Sequence, residues 1–403
     1  MTTPRAGSAI VQHNNSIYII GGVDGNEFLK TIESANVLKD GSLSPWKIIA
    51  DLPEARGFMS AVVHKNRLYV VGGANGKHGK NLLSSIVSAS IKNAGELGEW
   101  RQEKQSMLIP RRCSKLIKNG STLYALGGFG GSLLDSVEKS SFGKNGTLSP
   151  WRLEKNPMTM PRYVNSVSKI AGEIYVMGGH HPTKGLGLAH TESAKLQAPT
   201  LQWKKFEQLQ AGRYAFSSFS DGENLYAAGG ISGSEYLNSV EMLDVTVKNA
   251  EIGWQKSTNL PLFMANFTTI VVGKNVYLLG GSTRHNYLNS VWFSSFGENG
   301  KIGFWGTSKD VERQKLQNKN DFSKNELVNS GTVISQIETD GYTYLLVKEK
   351  NRQIWLAGPK MQVSTNSRVR YSEGVYMSNF FSKSLNKTFQ EILFVGTVLV
   401  DHE

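Results

Sequence analysis

Five arginines, Arg5, Arg56, Arg111, Arg162 and Arg213, each stand 17 residues before the second glycine of a Gly-Gly pair. A guanidinium presents its donors in a rigid fork, so a ring of them would clamp a carboxylate, a phosphate or an acidic peptide. A second reading pairs the arginines inside the protein. Glu33, Glu138, Glu192 and Glu241 recur at one later position, where the second unit has Val87 and the sixth has Trp292. The sixth unit also carries Met264 in place of arginine, so it loses both partners together. That joint loss favours internal Arg–Glu pairs, because a buried guanidinium is normally paired. Arg56 is then left without a repeat partner. It becomes a candidate ligand-binding residue, with Arg112 beside Arg111 as another.

Other residue types suggest other chemistry. His180, His181 and His190 lie in the run HHPTKGLGLAH, and imidazoles so grouped can hold Zn²⁺ or Cu²⁺. No Cys or Asp stands nearby to complete a set, although Glu192 follows, and the alternative is an exposed loop. Cys113 follows two arginines that would lower a thiol pKa. A lone Cys in a strand is more often a small buried hydrophobe. No G-x-S-x-G nucleophile elbow occurs. Aromatic Phe28, Phe129, Tyr236 and Tyr287 fall near cationic Lys77, Lys184, Arg284 and His285, in segments that vary between units. Aromatic and cationic side chains together suit acidic peptides or sugars with acidic groups. The binding candidates are therefore Arg56, Arg112, Phe28, Phe129, His181, Tyr236, Arg284 and Tyr287.

These residues sit on a repeat. IYIIGG, LYVVGG, LYALGG, IYVMGG, LYAAGG and VYLLGG end at Gly22, Gly73, Gly128, Gly179, Gly230 and Gly281, spaced 51, 55, 51, 51 and 51 residues. Each holds a tyrosine, from Tyr18 to Tyr277, and each is followed by a tryptophan, from Trp46 to Trp305. A unit reads as four short strands; in the fifth these are Tyr214–Phe219, Leu225–Ala228, Leu237–Leu243 and Ile252–Lys256. Units of this length with a Gly-Gly, Tyr and Trp signature resemble kelch repeats. The resemblance covers 1–306 and implies an all-β, six-bladed kelch β-propeller, each blade one contiguous unit. In it the variable segments after each Gly-Gly, 23–28, 74–80, 129–133, 180–190, 231–236 and 282–287, share one face. Tyr and Trp supply area for packing one blade on the next.

Beyond the repeat, 307–329 is polar and lysine-rich and reads as a linker with a short helix around 311–317. Residues 330–403 show five β runs, which suggest a separate small C-terminal OB/SH3-like β-barrel. Gly341-Tyr-Thr-Tyr344, Trp355-Leu-Ala357 with Pro359, Met377-Ser-Asn-Phe380, Ser382–Asn386 and Thr388-Phe389 are similar to a small bacterial OB-like family. Its members are exported and occur near nitrite-reduction genes. Asn366-Ser367 and Lys387 depart from that family's usual Gly-Asp and Arg. Segment 376–389 reads as an irregular loop, the part of this domain expected to meet any ligand.

The 403 residues carry a net charge of +12, of which residues 1–306 hold +10 and 330–403 only +1. An even spread of positive charge fits acidic proteins, acidic glycans or an anionic cell envelope better than a nucleic acid. A single cysteine excludes a disulfide framework, and no apolar run is long enough for a transmembrane helix. No cofactor is implied. The reading is a non-catalytic binding module for a protein, acidic peptide or glycan. The alternative is a sugar-processing enzyme acting in the funnel, like the six-bladed sialic-acid mutarotases. That alternative needs carboxylates near the inner strands, and the acidic residues found, Asp24 and Glu235, fall in loops. Both resemblances imply a periplasmic or cell-surface setting, with a cytoplasmic one as the alternative because no signal peptide precedes Arg5.

Overall fold

In the computed structural model the chain divides into two compact units, Met1–Gln314 and Lys315–Glu403. The structure describes all residues except 94, 182–186, 247–252, 298, 308–328, 340–341, 351, 359, 373, 383–384, 396–397 and 402–403, and the side chains of 374–376 and 378–379. The expected linker and its helix fall outside the described residues.

The first unit is a ring of six blades, each an antiparallel meander of consecutive strands. Blade 1 is Ala9–His13, Ser16–Ile20, Thr31–Asn36 and Lys47–Asp51. Blades 2 to 5 follow the same order from inner strands Ser60–His64, Lys115–Asn119, Ser166–Ile170 and Ser217–Ser220. Blade 6 has Thr268–Val272, Asn275–Leu279 and Val291–Ser295, and its fourth strand shrinks to one bridge, Phe293 to Gly306. Continuous apolar runs such as SIYII bury almost every residue because the second strand is covered on both faces by neighbouring blades.

The repeated residues explain the ring. The first glycine of each pair takes positive φ, and at Gly21 an added Cβ would lie 2.4 Å from the Arg56 carbonyl oxygen of the next blade. The second glycine donates its N–H to that same carbonyl: Gly22 to Arg56 at 3.0 Å, Gly73 to Arg111 at 2.9 Å, Gly230 to Met264 at 2.8 Å. Gly281 donates to Arg5 at 2.8 Å, so blade 6 meets blade 1 by the bond used at the other seams. The repeated tyrosines reach across the seams too. Tyr18 Oη donates to Gly95 O at 2.9 Å, Tyr69 to Gly146 at 2.6 Å and Tyr277 to Gly41 at 2.7 Å.

The arginines are wholly buried and each serves its own blade. Arg5 donates to Gly21 O at 2.9 Å and Thr31 O at 3.1 Å, and pairs with Glu33 at 2.6 Å. Arg111 pairs with Glu138, Arg162 with Glu192 at 2.8 Å, and Arg213 with Glu241. The glutamates also accept main-chain N–H groups; Glu33 takes those of Thr2 and Thr3. Burial pushes the Glu33 carboxyl up, but those bonds and the Arg5 charge bring it below its ordinary value. Arg56 lacks a strand-three glutamate, and Glu54, two residues earlier, pairs with it instead. In blade 6, Met264 and Trp292 share an apolar cluster, and Ser290 Oγ, where the other blades' arginines find an acceptor, is buried with no protein partner.

The second unit is one sheet of seven strands, in the order Gly374–Ser382, Lys387–Val395, Gln353–Gly358, Thr343–Lys348, Asn329–Glu338, Arg368–Tyr371 and Val398–Val400. All pairs are antiparallel except Gln353–Gly358 with Lys387–Val395. The five expected runs become seven strands because segment 376–389, read as an irregular loop, lies in a β-hairpin in which Phe380 pairs with Phe389 and Ser382 with Lys387, and because the expected run 391–400 divides between Lys387–Val395 and Val398–Val400. Across the hairpin the aromatic residues Phe380 and Phe389 fall into register. One apolar cluster centres on Val347, Leu356 and Tyr371, the other on Tyr344, Phe389 and Ile392.

The Arg56 substitution can be tested by moving its partner. Glu54→Ala leaves a buried guanidinium uncompensated and should destabilise the protein by about 3 kcal/mol in urea unfolding. Val87 occupies the strand register of Glu33, opposite Val70 as Glu33 is opposite Ile19. Adding Val87→Glu to Glu54→Ala should recover at least half of the loss, although Val87→Glu alone destabilises. An additive double variant would refute the equivalence of the two positions.

Candidate binding face

The residue after each arginine pairs with the residue after each Gly-Gly, forming bridges around one mouth of the ring. They are Ala6–Val23, Gly57–Ala74, Arg112–Phe129, Tyr163–His180, Tyr214–Ile231 and Ala265–Ser282. Blades 3 to 5 place large side chains there, and blades 6, 1 and 2 place small ones. Over the small side lies a groove of ≈ 690 Å³ whose walls include Phe28, Phe58, His78, Arg112 and Tyr287.

Glycine spacing sets these walls. An added Cβ at Gly57 would stand 3.0 Å from the Phe28 ring, and one at Gly25 would stand 2.9 Å from Tyr287. Phe28 is thus packed flat against blade 2, while Tyr287 stays 40% exposed and presents its ring to solvent. Arg112 lies over the Phe129 ring at 5.2 Å and donates to Gly79 O at 3.2 Å, so its guanidinium is held at the groove edge without a carboxylate partner among the described residues. From Phe129 an aromatic arc crosses the mouth: Phe129 to Tyr163 at 6.0 Å, Tyr163 to His180 at 5.4 Å, His180 to Tyr214 at 5.2 Å. Tyr214 Oη donates to Gly233 O at 3.0 Å. Burial raises the Tyr163 and Tyr214 phenol pKa values, so both remain neutral donors.

Of the sequence candidates, Phe28, Arg112 and Tyr287 line one groove, and Phe129 joins them through Arg112. Tyr236 lies in the hairpin Ile231–Ser232 with Glu235–Tyr236, and exposed Arg284 reaches it by a 3.4 Å bond to Ser234 O and a 3.8 Å ion pair with Glu235. His181 is half-buried beside the arc. Arg56 presents no surface to a ligand: its side chain is 0% exposed and taken up by Glu54 and Ser85. The three histidines separate. His180 packs between tyrosines, whereas His190 Nδ1 lies 2.6 Å from Arg162. Among the described residues no three His, Cys, Asp or Glu gather as a metal set; Lys184 falls outside them. Phe58, His78, Tyr163 and Tyr214 belong to the face without having been singled out. The readable signal for the tyrosines was the residue at this position of each unit, large in units three to five and small in the others.

The kelch motif matches residues 4–34 and 212–248. The first and fifth units of the ring thus match the kelch motif. The ring is similar to beta-scruin of Limulus polyphemus, 25% identical over 285 residues that cover 68% of this chain and 30% of scruin. It is also similar to Kelch-like protein 41b of Danio rerio, 29% identical over 38% of this chain and 23% of that protein. The matched region thus spans less than a third of either relative. Among solved structures, that of YjhT superposes with a TM-score of 0.61 at 14% identity, covering 76% of this chain and 99% of YjhT. At that identity the likeness concerns the fold of the kelch propeller.

The His190 environment predicts a pH-dependent stability for the propeller. It occupies the strand start held by Thr31, Ser85, Ser136 and Ser239 in other blades. Burial and the Arg162 charge keep its pKa below the ordinary value of 6.5, so it accepts from Arg162 as a neutral ring. The unfolded chain takes up its proton at higher pH than the folded one. Stability is therefore full above about pH 6.5 and falls as the solution is acidified toward the folded pKa. His190→Ser should flatten the melting temperature between about pH 6.5 and pH 5 relative to the parent. An unchanged slope would show that His190 does not carry the proton.

Proposed function

We propose that the propeller is a protein-interaction module whose mouth groove takes an extended acidic segment of a partner, without turnover. The observation that carries this reading is the ≈ 690 Å³ groove with Phe28, Phe58 and Tyr287 as apolar surface and Arg112 and His78 at its edge. Such aromatic and arginine anchors, partly dried by a surrounding rim, are where protein interfaces concentrate their binding energy. Positive charge on residues 1–306 adds long-range attraction for carboxylates.

Binding without chemistry fits the carboxylates. Glu33, Glu138, Glu192 and Glu241 are committed to buried arginines, and the groove's own Glu27 is exposed to solvent. A general acid or base would need a carboxyl free to exchange a proton with substrate. The sheet unit adds a second recognition surface: Lys387 Nζ stands 4.2 Å over the Trp355 ring beside exposed Phe381. An acidic glycan on an anionic envelope would use the same groove chemistry, and the sequence resemblance of residues 330–400 to an exported family is what supports a setting outside the cytoplasm in this reading.

A peptide array of acidic, neutral and basic extended segments tests it, followed by titration of the best binder. Arg112→Ala, Phe28→Ala and Tyr287→Ala should each weaken binding about tenfold or more, equivalent to about 1.4 kcal/mol. Lys256→Ala, on an outer strand, should leave it unchanged. Equal affinity for acidic and basic segments, or release of product from a sugar panel, would overturn the proposal.

A further inference from the structure

A second cavity lies on the ring axis, ≈ 70 Å³ in volume, and Phe58 lines both it and the groove above. Six residues with left-handed φ, Gly7, Phe58, Cys113, Val164, Ala215 and Asn266, turn the chain there. Their main chains hydrogen-bond around the axis: Phe58 N–H to Gly7 O, Cys113 to Phe58, Ala215 to Val164, Asn266 to Ala215 and Gly7 to Asn266. These groups leave most polar work inside the cavity to side chains.

Two side chains are out of keeping with that wall. Lys115 stands where the other blades have Ala9, Ser60, Ser166, Ser217 and Thr268, opposite Leu126 just as Ser60 is opposite Val71 and Ser217 is opposite Ala228. It is the one charge at that position. No carboxylate pairs with Lys115 among the described residues. The titratable group facing it is Cys113, whose thiol burial pushes up to about 11 and so leaves uncharged. Asn165 lines the same cavity, is 1% exposed, and has neither a donor for its amide oxygen nor an acceptor for its amide nitrogen within the protein. A buried amide without a partner is costly unless something bonds it, and the half-buried Lys115 ammonium lines the same small polar space without a counter-charge.

We propose that this axial cavity is a binding site for a small anion, held by the Lys115 ammonium and the Asn165 amide N–H groups. Its volume admits a halide or an oxyanion of a few atoms and excludes a sugar or a peptide. The buried arginines do not line this cavity, and each directs its terminal guanidinium nitrogens to its own blade. Desolvation lowers the Lys115 pKa, and an anion beside it would restore the charged form. The site is independent of the peptide reading of the groove: its ligand is an ion, and its residues stand at the start of the inner strands of blades 3 and 4, Lys115 as the first residue of one and Asn165 just before the other.

Bromide is the probe. Crystals grown in bromide should show an anomalous peak within hydrogen-bonding reach of Lys115 Nζ and Asn165 Nδ2. In solution, chloride, bromide, acetate and phosphate are compared at equal ionic strength against a bulky anion too large to enter. An anion that fits should raise the melting temperature of the parent, as any ligand selective for the folded state must. Lys115→Ser restores the residue of blades 2, 4 and 5 and should fold, lose the bromide peak and show no anion preference. The arms separate a halide site from an oxyanion site. Density for water alone at Lys115, or the same anion dependence in Lys115→Ser as in the parent, would overturn the proposal.

Discussion

Everything in the propeller depends on one residue per seam, an arginine in five blades and Met264 in the sixth, acting through its backbone and, where it is arginine, through its side chain as well. The main chain of Arg111 belongs to the blade behind it: its N–H donates to Leu83 O and its carbonyl accepts from Gly73. Its guanidinium belongs to the blade it opens, bonding Gly127 O, Ser136 O and Glu138. One residue therefore fixes the angle between two blades and holds the second of them at its turn. The Gly-Gly signature is the other half of this contact, since a Cβ on the first glycine would occupy the space of the arginine carbonyl. A buried ion pair of this kind adds little net stability over an apolar pair, but it is directional. Blade 6, with Met264 and Trp292, keeps the main-chain bonds and replaces the ionic part with apolar packing, so the ring tolerates the exchange when both partners change together.

That same coupling is why much of the propeller was legible in the sequence. A backbone contact repeated at six seams leaves Gly, Tyr and Arg at fixed spacing, and the joint loss of Arg and Glu in the sixth unit already identified them as partners. Glu54 was not legible because it reaches Arg56 from the preceding loop rather than from the third strand, and loops carry no period. The hairpin at 374–395 was missed for a related reason. Its strands are aromatic and mixed, and Phe380 and Phe389 show their shared face only once paired. The groove was half visible. Its aromatic and cationic residues could be named, but a groove is made by what is missing, and the small residues Ala6, Gly57 and Ala265 carry no chemical signal of their own.

Charge is distributed to match. The deep guanidiniums are neutralised by deep carboxylates or, at Arg56, by a half-exposed one, so the surplus of +10 over residues 1–306 is expressed at the surface and on the axis. A propeller that neutralises its interior blade by blade can vary its mouth without disturbing the seams. Arg112 illustrates this: it is adjacent to Arg111 in sequence, yet one is locked in a buried pair and the other leans on Phe129 at the groove edge.

The two cavities follow from the same asymmetry of the mouth. Large side chains from blades 3 to 5 close one half, and the small half opens into the groove. Phe58, turned by its positive φ onto Gly7, is what separates that groove from the axis below. Gly7 has to be glycine for this, because a Cβ there would stand 2.6 Å from the Phe58 ring. The partition between a wide site facing solvent and a small polar one on the axis therefore rests on a single ring held against a single glycine. Both lie at the seam of blades 1 and 2, beside the blade whose arginine departs from the repeat.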